Sequence, residues 1–216
     1  MQTRPPSIET EPIARPDREW PRADAANGDD RRSFARNLAF YGIAPQQAEL
    51  VVPAGRTSTL DTTPGATGVV VPRLLATRDL DRFKAWLGVP DHAFERGDLP
   101  PYPVSPLSPW LGDDLAEPDP AAVLLARQAY VHGYSKLIEG GKALIERLSG
   151  EFRASCAAIG RRVVEPGAAL VVQGTLPAVL IVGELRLYEP GTLRIQTETR
   201  MCVDRLVKIE ADGRAR

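Results

Sequence analysis

Apolar positions fall into distinct regimes along the chain. Residues 1–32 hold few large apolar groups among prolines and charges of both signs. Such a stretch buries too little surface to repay chain entropy, so a disordered tail is expected, with Ile13 and Trp20 its only anchors. Residues 33–96 form a small α/β segment. Phe34, Leu38 and Tyr41 recur at helical spacing behind Ser33 as cap and ahead of Gly42 as terminator. AELVVPAG reads as a strand and turn, TSTLDTTPGATG as turn-rich, and GVVVPRLL as a second buried strand closed by Pro72. Leu80, Phe83 and Leu87 then mark one face of a helix with Thr77 as cap, Asp79 near its N-terminus and Gly88 at its end.

Residues 97–120 carry seven prolines, of which Pro103, Pro106 and Pro109 fall on one edge of a polyproline II helix. This predicts a stiff connector, or a ligand for an aromatic groove. Asp119 and Pro120 start a helical segment over 121–160, with a break expected at Gly140 and Gly141. Beyond the break, Ile145, Leu148, Phe152, Cys156 and Ile159 keep helical spacing, so one apolar face is expected to lie on a neighbour.

From Val163 the period changes. Every eighth residue from Val163 to Val203 is apolar, as are Leu185, Leu193, Met201 and Ile209, while glycines at 167, 174, 183 and 191 punctuate the run. Glu-Pro-Gly occurs at 165–167 and again at 189–191. Three steps of eight would make one coil of 24, with the phrase as a corner stacked on its copy. The expected fold is therefore α+β: a β-rich, solenoid-like core over 161–210, capped by helices and followed by a short tail at 211–216. An antiparallel meander or sandwich is the alternative. Two coils bury too little to stand alone, so a helical cap, a further layer from VVPAG at 51–55 and the strand at Val69 to Val71, or a second subunit must cover the ends.

GELRLYEPGTLRI and GAALVVQG resemble the short β-solenoid scaffold modules of bactofilin-type bacterial proteins. The resemblance covers under a quarter of the chain and bears on fold class.

Composition narrows the function classes. Net charge is −1, which gives no general attraction to nucleic acid or anionic lipid. Arginine outnumbers lysine 23 to 4, a bias read as that of a high-GC bacterial genome. The N-terminus lacks the apolar core of a signal peptide and no apolar run reaches the ~20 residues of a membrane helix, so a cytoplasmic location is expected. Cys156 and Cys202 read as buried thiols, and with two histidines they suggest no metal site. No cofactor is implied.

Two stretches invite a catalytic reading. His132-Gly133-Tyr134-Ser135-Lys136 resembles the lead-in to the nucleophile elbow of α/β-hydrolases, but Leu137 replaces the second glycine and no histidine follows Ser135. Asp91-His92, with Glu95 and Asp98, could serve acid–base or metal chemistry and equally fits a solvated loop. The acidic run Asp113, Asp114, Glu117 and Asp119 lacks the spacing of a calcium loop. The expected function is thus a non-catalytic structural or interaction protein that self-associates or binds a protein partner. The alternatives are a glycan- or ligand-binding module using Arg186, Tyr188, Arg194, Gln196 and Arg200, and a hydrolase.

Overall fold

The computed structural model describes residues 30–89 and 120–215, together with Asp91, Ala93 and Gly97. Among the described residues four α-helices and eight strands form a mixed α/β architecture. Helix α1 (Asp30–Tyr41) leads to β1 (Gln47–Val52), β2 (Thr57–Asp61), β3 (Arg73–Thr77) and α2 (Leu80–Leu87). Helices α3 (Pro120–Ala129) and α4 (Lys142–Ser149) precede β4 (Phe152–Val164), β5 (Ala169–Gln173), β6 (Ala178–Tyr188), β7 (Thr192–Ile195) and β8 (Thr199–Ile209).

One sheet runs β1-β4-β6-β8 with every pair parallel, and β3 pairs antiparallel with the first half of β4. A second sheet runs β2-β5-β7, also parallel. The antiparallel meander is thereby excluded for β4 to β8. Parallel neighbours cannot be joined by a tight hairpin, and the chain passes through the second sheet between β4 and β6 and again between β6 and β8. Arg161 lies against Glu184 and Ala169 against Thr192, so the path repeats every 23 residues there. Glu184 lies against Arg205, a repeat of 21. The expected uniform step of eight does not hold: Val163 faces Arg186 and not Leu187.

Both Glu-Pro-Gly phrases are corners between the sheets, but their 24-residue spacing sets them one residue out of register. The first turn closes with Ala168 N donating to Glu165 O at 3.0 Å, the second with Gly191 N donating to Tyr188 O at 2.5 Å. VVPAG adds the further layer. Val51 pairs with Val163, Gly55 N donates to Pro166 O at 3.2 Å, and Ala54 N donates to Glu165 Oε2 at 2.8 Å.

Two cores follow from strand alternation. Phe152, Ala154, Cys156 and Ala158, with Val179 and Ile181, face the helices and meet Leu80, Phe83, Trp86, Tyr130 and Ile145. Ala157 and Ile159, with Ala178, Leu180 and Val182, face the second sheet and meet Leu60, Leu170 and Val172. Strands buried on both faces read as continuous apolar runs without alternation.

That double burial explains the largest departure from expectation. The helix anticipated through Ile159 ends at Ser149, and residues 152–159 lie in β4. Gly150, at φ 69°, separates the two. The other differences are local. The break expected at Gly140 and Gly141 is present, with Gly141 as the N-cap of α4, and an earlier one stands at Gly133 with φ 95°. Asp79 rather than Thr77 caps α2, accepting from Asp81 N at 2.8 Å and Arg82 N at 3.1 Å. TSTLD is a strand. Val69 to Val71 is not one: Pro72 lacks an N–H, and the Val69 and Val71 carbonyls accept from the side-chain amides of Gln47 and Gln46, each at 2.6 Å. The expected tail at 211–216 folds back through a bridge between Ile209 and Ala215. Residues 1–29 and almost all of the proline-rich stretch lie outside the described residues.

Candidate functional site

The register of the first sheet skips one residue per strand at the same level: Ala48, Gly160, Gly183 and Asp204. Before this column Ile159 and Val182 face the inter-sheet core, and beyond it Val164 and Leu185 do. One residue has been inserted in every strand, which bends the sheet as a bulge does. The two central positions demand glycine. A Cβ on Gly160 would stand 2.5 Å from Ala48 O, and one on Gly183 would stand 2.6 Å from Gly160 O.

The bend creates a groove of about 630 Å³. Phe34 of α1 forms one wall, 3.6 Å from where a Gly183 Cβ would lie. The groove is also lined by a row of register partners, Glu49, Arg161, Glu184 and Arg205, alternating in sign across four strands. Arg161 approaches Glu49 at 3.8 Å and Glu184 at 3.9 Å. A hydrogen bond from Arg186 is the main reason the Glu184 carboxyl sits below its usual range; burial opposes, and Arg161 and Arg205 reinforce. Asp204 also lines the groove, and both its carboxylate oxygens are shielded from solvent without a hydrogen-bond partner among the described residues.

One residue past this row the chain buries a cation. Arg162 is 2% exposed and faces the inter-sheet core between Leu50 and Leu185. Its Nη2 donates to Ser58 Oγ at 3.1 Å, while Nε and Nη1 have no partner among the described residues. Burial alone pushes its pKa down to about 10.

On the helical side the structure joins the two stretches with a catalytic reading. Ser135 Oγ donates to the Asp91 carboxylate at 2.8 Å, and Lys84 Nζ reaches Asp91 Oδ1 at 2.5 Å and Ser135 Oγ at 2.8 Å. Burial raises the Asp91 pKa, but the bonds from Lys84 and Ser135 outweigh it and hold the carboxyl below its usual range. A serine nucleophile needs a neighbouring base with proton affinity to spare. A depressed carboxylate paired with a lysine is a poor candidate, and the trio fits a polar strut between α2 and the turn after α3. Tyr130 donates to Asp81, and Lys142 Nζ meets Asp81 Oδ2 at 2.5 Å, so a second strut stands beside it. Among the described residues no group of three or more His, Cys, Asp or Glu could hold a metal ion, and no helix is long and apolar enough to cross a membrane.

No family model, curated protein or solved structure matches this chain.

The five residues proposed from sequence as a binding face do not share one. Arg186 and Tyr188 lie on β6, Arg194 is on β7 in the other sheet and Gln196 just beyond it. Arg200 is the second residue of β8 but is turned to the helices, donating to Ala85 O at 2.9 Å. Of the acidic and histidine candidates, His92, Glu95, Asp98, Asp113, Asp114, Glu117 and Asp119 lie outside the described residues. Glu49, Arg161 and Arg205 escaped notice because each is an ordinary charged residue in sequence. Only the register makes them a row.

Proposed function

We propose that this chain is a non-catalytic structural protein that self-associates, and that its two sheets are a short β-solenoid. Three straight runs per repeat support the solenoid reading: one up to the bend column, one on to the Glu-Pro-Gly corner, and one in the second sheet. The observation that carries self-association is the unfinished stack. β8 keeps parallel register with β6 from Thr199 to Ile209. Its other edge carries no partner strand among the described residues beyond the single bridge from Ile209. Unpaired backbone donors and acceptors on a long edge are a template for another strand. Leu206, 62% exposed, continues the inward-facing column of Leu50 and Leu185 at that end, leaving apolar surface to be covered.

Size-exclusion chromatography with light scattering tests this. The full chain is expected to gain mass as concentration rises from micromolar to hundreds of micromolar, and a single monomer mass across that range overturns the proposal.

A further inference from the structure

The row that lines the groove carries a direction. From the β1 edge to the β8 edge it reads Glu49, Arg161, Glu184, Arg205, so the stack ends in an acid on one side and a base on the other. Each internal step sets opposite charges side by side, with Glu49–Arg161 at 3.8 Å and Arg161–Glu184 at 3.9 Å. Opposite charges directly across neighbouring strands stabilise the pairing, and like charges oppose it. The β1 edge, like the β8 edge, has no further strand among the described residues.

We infer that copies of this chain stack head to tail, the β8 edge of one against the β1 edge of the next, with Arg205 beside Glu49. This rests on the self-association reading and adds to it a partner, an interface and a polarity. A simple translation keeps all strands parallel, as they already are from β1 to β8. It extends the alternation of sign through the junction without a fault. It also lays exposed Leu206 over Leu50 of the next copy and Val207 over Val51, which is 42% exposed. Ala48 then comes beside Asp204, a small residue next to a carboxylate that has no hydrogen-bond partner among the described residues. A two-fold arrangement also covers Leu206, so the apolar column does not select a polarity. It does bring like ends together, and Glu49 then never meets Arg205. The charged row is what discriminates.

Charge reversal gives the test, read as dissociation constants by sedimentation velocity at low ionic strength, where surface charges are least screened. Glu49→Arg and Arg205→Glu alone are each expected to weaken self-association about tenfold. The double variant, and an equimolar mixture of the two single variants, are expected to return to the wild-type value. The mixture matters because each chain in it keeps its own internal contacts, so rescue there cannot come from repaired folding. Circular dichroism on each variant shows that the fold is retained. Weakening without rescue, or no effect of either reversal, overturns the head-to-tail junction while leaving self-association standing. A wild-type chain that never associates overturns the proposed function itself.

Discussion

Arg162 is the residue whose environment fits it least. The other members of its register row are Leu50, Leu185 and Leu206, and among the described residues no carboxylate compensates its charge. A buried cation without a counterion loses its hydration for one hydrogen bond, that to Ser58. Replacing it with the leucine of its own column removes the desolvation cost while filling similar volume. Arg162→Leu is expected to stabilise the fold by about 2 kcal/mol, read as a higher urea midpoint at unchanged slope. An unchanged or lower midpoint would mean that the guanidinium has a partner when the protein is in solution.

Among the described residues, His132 is a histidine whose pairing makes stability respond to pH. Its Nε2 lies 3.4 Å from Glu198 Oε1 and its Nδ1 is 2.8 Å from Gln128 O, joining the turn after α3 to the approach to β8. The bond with Glu198 raises its pKa above the ordinary 6.5 and outweighs burial. A histidine whose folded pKa is raised lends stability that is complete below the unfolded value and lost as pH climbs through the folded value. The melting temperature should therefore fall from pH 6.5 upward more steeply in the wild type than in His132→Gln, by a small amount because both side chains are half exposed. Parallel curves for the two proteins would show that the pair contributes nothing.

At the scale of elements, the bend in the first sheet depends on the close approach of three backbones. Gly183 permits it, because a methyl group there would meet Gly160 O rather than a side chain that can turn aside. Gly183→Ala should cost about 1–3 kcal/mol in denaturant unfolding, since strands must separate to admit the Cβ. Gly68→Ala is the control. Its Cβ would have 3.6 Å to the nearest atom, and it should lie near the wild type. Equal effects at both positions would contradict the bend as described.

Legibility at this scale depended on solvent. α2 was readable because one face is buried and one exposed, so Leu80, Phe83 and Leu87 stand out at helical spacing. β4 was not, because sheet and helices bury both its faces, and FRASCAAI then matches a helix as well as a strand. β2 was hidden for the opposite reason. Leu60 is the only apolar residue of TSTLD, and its pairing with β5 supplies the ladder that its side chains do not announce.

For the whole molecule, the two ends are chemically different. An acid closes the charged row at β1 and a base closes it at β8, so a head-to-tail junction can repeat without limit, whereas a two-fold junction closes on itself. The expected assembly is therefore open, growing with concentration rather than halting at a dimer. The described helices do not compete for these ends. They pack on the strand faces through Tyr41, Phe83, Trp86 and Ile145, leaving the edges to the sheets.

Sequence alone determined that the C-terminal quarter is β-rich and repetitive, that Glu-Pro-Gly marks its corners, and that VVPAG belongs with VVEPG. These follow from local chemistry: glycine and proline punctuate turns, and apolar residues seek burial wherever they stand. Tertiary structure decided the repeat length, the parallel register and the row from Glu49 to Arg205. Those properties belong to pairs of residues up to 112 positions apart, as Val51 and Val163 are. A charge has no address in a row until its neighbour across the strand is known.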